Sequence, residues 1–310
     1  MWLRYGVDEN DVLVAIENMP SGKTSLKCPY CQSGLTAKKG RIKEHHFAHT
    51  GETCRFVAGR NSHEIPVLPL YDNFNLHLSG QELEQLKTLW KQYGAKGYRV
   101  PKFLAPRRFV WLGLLQEPEF SNSSEDYELT LLGKIPLGEL SLTLFNEVQE
   151  PLLLKKLSDL EEKAERALTS NSLFLAEILT DLRLYRAQIK RILSNTLYFL
   201  EIQAEGKTLH KIGVTSRPIE ERVAEVQREL LSHFKTVSLK VLGTWKQRGN
   251  VEKYFKYRYK EFNYRIGTLT EYYNFNQEDA KIVLRDLHQM KPKVLCQIET
   301  DILNGQPSSI

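Results

Sequence analysis

The spacing of apolar positions changes along the chain, and each change marks a boundary between elements. Up to about residue 75, short apolar runs alternate with turns punctuated by Gly22, Gly34, Gly40 and Gly51, which predicts short strands. From Ser79 the period becomes helical: Leu83, Leu86, Leu89 and Trp90 recur at three- and four-residue intervals, opened by Ser79-Gly80 and closed near Gly94. Two apolar stretches follow, Val100 to Leu104 and Phe109 to Leu115, then a polar segment from Ser121 to Asp126 and a last apolar stretch from Tyr127 to Gly133. Between Leu152 and Leu193, Leu153, Leu157, Leu160, Ala164 and Ala167, then Ile178, Leu182, Ile189 and Ile192, describe a long amphipathic helix with a break at Thr169-Ser170-Asn171-Ser172.

From Thr196 the period falls to two. Thr196 to Ile202 reads as a strand, Ala204-Glu205-Gly206-Lys207 as a turn, and Leu209 to Val214 as the returning strand of a hairpin. Pro218 then opens a helix whose apolar face is Ile219, Val223, Val226 and Leu230, capped by Ser216 or Arg217. A third strand runs from Val237 to Trp245, and a helix after Gly249-Asn250 buries Val251, Phe255, Tyr259 and Phe262.

Composition adds limits. The 310 residues are 41% hydrophobic and 26% charged, ordinary for a globular chain with room for two or three domains. No apolar run approaches the roughly 20 residues of a membrane helix, which excludes a span. The first residues lack the basic-then-apolar order of a secretory signal, so the expected location is cytoplasmic. The net charge of +5 is unevenly placed: residues 21–60 hold eight Lys/Arg against two acids, residues 188–268 sixteen against eight, and residues 145–187 six against eight. Two basic blocks flanking an acidic one suit a polyanion, because each cation that reaches a phosphate releases condensed counterions.

Three of the four cysteines cluster with histidines. Cys28-x2-Cys31 places two thiolates on one tight turn, half of a tetrahedral zinc site; His49-x4-Cys54 is the expected other half, with His46 the alternative ligand. Cys296 lies far along the chain from the other three and is read as an inert buried thiol. "CPYC" followed by "KKGRIKEHHFAH" resembles the N-terminal segment of CoiA-like competence proteins over about residues 26–64. The resemblance implies a zinc-stabilised, DNA-associated module. Lys27, Lys38, Lys39, Arg41 and Lys43 are the candidates there for phosphate contact. Between residues 79 and 133 the order helix, basic helix and polar hairpin resembles a winged-helix domain, which implies a second DNA-binding region.

At the C-terminal end, "LYF", "KIG" with "GVT", an Arg-bearing helix, "VEKYF" and "TEYYNF" come in the order found in GIY-YIG nucleases, over about residues 196–275. The match is to a branch of phage and mobile-element proteins in which Lys replaces the second Tyr. Such a domain carries a three-stranded antiparallel sheet and cuts DNA with one divalent metal. By resemblance Tyr198 positions or deprotonates the attacking water, Arg222 clamps the scissile phosphate, and Lys211 lowers the phenol's pKa or holds a phosphate oxygen. Glu252 supplies a hard carboxylate ligand suited to Mg2+ or Mn2+. His210 is a spare base, and Arg217, Lys256 and Arg258 are candidate phosphate contacts. The helix from Lys253 interleaves Tyr254, Tyr257 and Tyr259 with cations, so its tyrosines either stack on bases or cover the core. The first triplet lacks Gly and Ile and the second lacks Tyr, which leaves a DNA-binding protein with a degenerate, inactive domain as the alternative to an endonuclease.

The expected architecture is therefore α+β: a zinc-bound module at 1–75, a helical DNA-binding domain at 76–145, a helical linker at 146–193, a nuclease domain at 194–295 and a tail at 296–310. DNA is the expected partner, structural Zn2+ and catalytic Mg2+ or Mn2+ the expected cofactors, and the helices at 152–193 the expected surface for a homodimer or protein partner.

Overall fold

The computed structural model describes residues 3–40, 45–54, 57, 65–118 and 126–306. In chain order the elements begin with β1 (Tyr5–Val7), β2 (Leu13–Ala15), β3 (Gly22–Lys27), β4 (Gly34–Lys38), β5 (His46–His49) and α1 (Gly80–Gln92). Next come β6 (Val100–Pro101), α2 (Arg107–Trp111), β7 (Leu115–Gln116), β8 (Asp126–Leu129), α3 (Leu131–Lys134), α4 (Leu142–Thr169) and α5 (Leu175–Ser194). The last third holds β9 (Thr196–Ala204), β10 (Lys207–Thr215), α6 (Ile219–Leu231), β11 (Val237–Trp245), α7 (Val251–Arg258), β12 (Asn263–Ile266), β13 (Leu269–Tyr273), α8 (Gln277–His288) and α9 (Gln297–Asn304).

These elements form two compact units, and neither is a continuous stretch of chain. The first gathers Met1–Leu68, Leu153–Lys190 and Gln297–Ile310; the second gathers Pro69–Leu152 and Arg191–Cys296. The helical segment expected as a linker is thus shared out between the units. Its apolar stripe explains why: Leu157, Leu160, Ala164, Ile178 and Leu182 are all buried, as a free-standing spacer would not allow. The first of these helices begins at Leu142, ten residues before the expected Leu152, and runs through Pro151.

In the first unit an antiparallel sheet has the order β2-β1-β3-β4-β5. Leu3, Tyr5, Ile16, Leu26, Leu35, Ala37 and Phe47 fill its covered face, joined by Leu184 of α5. Strands of three to six residues bury little each. Long-range polar ties supplement them: the Tyr30 hydroxyl donates to Asp181 Oδ1 at 2.6 Å, and Gln188 Nε2 donates to the carbonyl of Pro66 at 2.8 Å.

The second unit is built around an antiparallel sheet of five strands, β11-β9-β10-β13-β12, where three were expected. The additional pair is the β12–β13 hairpin, which joins because Tyr272 and Tyr273 bury on opposite faces and pair with Lys211 and His210 of β10. Period-two alternation along β9 sorts the core. Tyr198, Leu200, Ile202 and Ala204 face Val226 and Leu230 of α6, whereas Leu197 and Phe199 face Val251 and Phe255 of α7 with Val283 and Leu287 of α8. A smaller cluster of Leu86, Leu89, Val100, Phe109, Leu114 and Leu115 unites α1, α2 and a three-stranded sheet of order β6-β8-β7. Ser79 caps α1 through a reciprocal pair of hydrogen bonds with Glu82. Of the polar segment expected as a wing, residues 121–125 lie outside the described residues.

The start of α7 is fixed by a buried amide network. Asn250 Nδ2 donates to Asn146 Oδ1 at 2.8 Å and to Gln149 Oε1 at 3.0 Å, and Gln149 Nε2 donates to the carbonyls of Pro69 and Leu70. All three amides are at most 5% exposed, so loss of one strands the others. Asn250→Ala should lower the unfolding free energy by about 1–3 kcal/mol in urea titrations. A change within error would show that the network does not hold α7.

Candidate metal centre and candidate active site

The first unit holds a cluster of metal-ligand side chains. Cys28 and Cys31 sit on the turn between β3 and β4, closed by bonds from the Cys28 amide to the Ser33 carbonyl and from the Gln32 amide to the Cys28 carbonyl. Gln32 there takes a positive φ of 61°. β5 lies beside β4 in a register that puts His49 opposite Leu35, and Cys54 follows after β5. The ligand atoms of Cys28, Cys31, His49 and Cys54 all fall within 4.8 Å of one another. His46 is not in that group: three residues from His49 along a strand, it points to the other face.

Three thiols and one imidazole suit zinc, whose tetrahedral ligands at ~2.3 Å (S) and ~2.0 Å (N) stand roughly 3.5–3.8 Å apart. His49 Nε2 already lies 3.4 Å from Cys31 Sγ, and its Nδ1 is buried without a partner among the described residues. Burial pushes the Cys28 thiol up to about 12 and raises Cys54 as well. Burial also acts upward on Cys31, but hydrogen bonds, first those from Ser33, outweigh it and leave that thiol lowered. The cluster can bind zinc, and a cation there would offset the cost of ionising the two buried thiols.

The cations expected on phosphates near this cluster differ in their freedom. Lys27 and Lys38 are exposed, whereas the Lys39 ammonium donates to the carbonyls of Glu17 and Met19 at 3.2 and 2.8 Å. Arg41 and Lys43 lie outside the described residues.

The second unit links charged groups of its sheet to those of α6 and α7. Tyr198 of β9 pairs with Gly213 of β10, and its ring lies so close that a Cβ at 213 would stand 2.3 Å from the phenol oxygen. Only glycine admits the ring at that position. The hydroxyl of Tyr198 accepts a hydrogen bond from Arg222 Nε at 3.1 Å. Arg222 Nη1 in turn meets Glu225 at 2.9 Å, and Glu225 also holds Arg217 through two bonds of 2.6 and 2.8 Å. Burial raises the pKa of Tyr198, Arg222 opposes, and the carboxylates of Glu252 and Glu271 act upward. The leading cation that favours the phenolate is Arg222.

Lys211 belongs to a second string of charges. Its side chain is 3% exposed; Nζ lies 3.1 Å from Glu271 Oε2 and 4.4 Å from the centre of the Tyr272 ring. Glu271 Oε1 accepts from Lys256 at 2.5 Å, and Lys256 reaches Glu252 Oε1 at 3.0 Å, one helical turn back along α7. Burial lowers Lys211 while Glu271 opposes the shift. Burial works against the charge of Glu271 too, but Lys256 and Lys211 hold its carboxyl down to about 2. The structure so brings together Tyr198, Lys211, Arg222 and Glu252, and adds Glu271, which sequence reasoning did not single out. Its position in "TEYYNF", within a strand, was the available signal.

Two other expected site residues lie elsewhere, and Cys296, expected to be buried, is exposed. His210 is on the opposite face, stacked on Phe199 at 5.4 Å, where it lines a cavity of about 480 Å3 with Glu201, Gln203 and Lys281. Burial pushes its pKa down, with Glu201 opposing. Arg258 points inward: Nη1 donates to the carbonyls of Gly138 and Leu140, and Nε faces Asp286 at 3.3 Å. Lys256 is held between its two carboxylates. The α7 tyrosines cover the core, Tyr254 stacking on Phe145 at 4.1 Å and Tyr259 donating to Asp286.

Residues 14–57 match the family model of the N-terminal domain of competence protein CoiA, and residues 195–288 match that of the T5orf172 domain, which is associated with endonuclease-type proteins. The four clustered ligands fall inside the first match, and Tyr198, Lys211, Arg222, Glu252 and Glu271 inside the second. No curated protein and no solved structure matches the chain. Both domains point to DNA processing. Among the described residues, no helix is long and apolar enough to cross a membrane.

Two outcomes are expected from this geometry. Purified protein should carry about one zinc per chain by metal analysis, and Cys28→Ser or His49→Ala should lose it; full zinc content in both variants would contradict the cluster. A carboxyl held at about 2 against an ordinary 4.5 stabilises the fold fully above pH 4.5 and loses that contribution as pH falls toward 2. Glu271→Gln should therefore be less stable at neutral pH and flatten the acid limb of the stability curve, and an unchanged limb would show that the string of charges is not formed.

Proposed function

We propose that the chain is a divalent-metal-dependent DNA endonuclease of the GIY-YIG type, with the zinc module and the residues from 76 to 145 holding DNA. The observation that carries the reading is a pair of linked sets inside the T5orf172 match: a phenol bonded to a guanidinium, and a buried ammonium joined through Glu271 and Lys256 to Glu252.

Hydrolysis of a phosphodiester needs a water nucleophile, positive charge on the phosphate oxygens, and a group that takes the water's proton. Arg222, anchored by Glu225, presents its guanidinium beside the Tyr198 hydroxyl, where it binds a non-bridging phosphate oxygen and orients the phenol. Lys211 adds a second positive charge from the sheet. Tyr198 orients the water and, as phenolate, accepts its proton as the water oxygen bonds to phosphorus; the P–O bond to the leaving strand breaks and its oxygen takes a proton from solvent. Glu252 is the metal ligand: Oε1 rests on Lys256, and Lys256 keeps a carboxylate partner in Glu271 when Glu252 turns to a cation. Bound there, Mg2+ or Mn2+ would draw charge from the phosphate and acidify its water, with waters and phosphate oxygens completing its shell.

A second reading, binding without cutting, is favoured by the raised pKa of Tyr198 and by the pairing of Glu252 with Lys256. The two separate on plasmid nicking in Mg2+ or Mn2+. The unsubstituted chain should nick, and Glu252→Ala and Tyr198→Phe should each lose roughly a hundredfold or more, the usual scale for removing one such group. Absence of metal-dependent nicking, or nicking by both variants as fast as by the unsubstituted chain, would leave the binding-only reading.

A further inference from the structure

Between Gln85 and Gln116 the chain carries seven Lys/Arg and no Asp or Glu, a run more one-sided than either basic block seen above. It forms most of α1, β6 and α2 in the second unit. Three carboxylates from outside the run neutralise part of it: Glu84 meets Lys87, Glu82 meets Arg108, and Glu117 meets Lys102. Among the described residues, Lys91, Lys96, Arg99 and Arg107 have no carboxylate partner.

The same run exposes large aromatics. Tyr98 is 66% exposed, Phe103 87% and Trp111 80%. Isolated exposed apolar residues are ordinary, but three aromatics among fourteen residues are not. Their placement follows from the folding of the segment. Val100 and Phe109 point into the small core shared with Leu86 and Leu89, which turns their neighbours outward. On α2, Arg107 and Trp111 lie one turn apart on the side away from Phe109, so a free guanidinium and an exposed indole share one face.

We propose that the surface carried by Tyr98, Arg99, Phe103, Arg107 and Trp111 binds unpaired nucleic acid, its aromatics stacking on splayed bases while its free cations hold the backbone. The charge excludes a basic or cationic partner. Paired bases are stacked on each other and offer their faces to no side chain, so a surface of bare aromatic rings matches a single strand better than a duplex. The inference rests on the DNA-processing reading and specifies which form of DNA this region takes.

The test is binding of a fluorescently labelled single-stranded oligonucleotide and of the matching duplex, in a Glu252→Ala background to prevent cutting. Trp111→Ala and Phe103→Ala, both at exposed positions, are compared after circular dichroism confirms folding. Each substitution should weaken single-strand binding about tenfold, in line with the loss of one stacked base, and change duplex binding less than twofold. Single-stranded DNA should also quench tryptophan fluorescence, and Trp111→Phe should abolish most of that quenching. Arg107→Gln should reduce the salt dependence of single-strand binding. Unchanged single-strand affinity in both aromatic variants, as for a surface that takes a protein, would overturn the inference and leave the nuclease reading intact. Equal losses on both DNA forms would overturn it in favour of duplex docking. No binding of either form by the parent chain would remove the DNA reading as a whole.

Discussion

A lysine ammonium that is 3% exposed must find a carboxylate, and this requirement organises the second unit. Lys211 lies in the middle of β10, so its partner has to come from a neighbouring strand. Glu271 on β13 supplies it, which gives the β12–β13 hairpin its place in the sheet beyond the burial of Tyr272 and Tyr273. Glu271 also holds Lys256, and Lys256 holds Glu252, so the same string of charges reaches from the sheet to the first turn of α7. Loss of Glu271 would strand the Lys211 ammonium with little water to solvate it. Next to the string, the approach of Tyr198 to Gly213 sets the phenol under Arg222. The face is thus held by charge complementarity on one side and by the missing Cβ of a glycine on the other.

The first unit is held differently. Its strands are short, its core is small, and the turn that carries Cys28 and Cys31 is tied to α5 by Tyr30 and Asp181. Two of its three clustered thiols are raised by burial, so ionising them costs free energy that a bound cation would return. Here a bound cation would stabilise the fold; in the second unit the charged groups neutralise one another.

What could be read from the sequence was local. The β9–β10 hairpin, the helix carrying Arg222 and the Cys28-x2-Cys31 turn declare themselves within a dozen residues each. Whether Cys54 or His46 completes the set with His49 was open from spacing alone; strand alternation excludes His46, which points to the face opposite His49, and Cys54 lies in the cluster. Glu271 was harder to see because it meets Lys211 across sixty residues, through a strand pairing that no local pattern announces. Cations gave misleading signals for the same reason. Arg258, Lys256 and Lys39 look in sequence like surface charges, yet the fold uses each on a carbonyl or carboxylate. The sharing of the helices at 153–190 with a unit that begins at the N-terminus likewise follows from which cores their stripes fill, a tertiary choice.

The central claim is that Glu252 exchanges Lys256 for a divalent cation when DNA occupies the face. Anomalous diffraction from crystals grown with Mn2+ and a short DNA fragment tests it most directly. The account predicts a manganese peak against the Glu252 carboxylate and a phosphate oxygen, with Lys256 remaining on Glu271 and Arg222 on the phosphate. DNA bound at this face with no manganese at Glu252, and the Lys256–Glu252 pair intact, would contradict it.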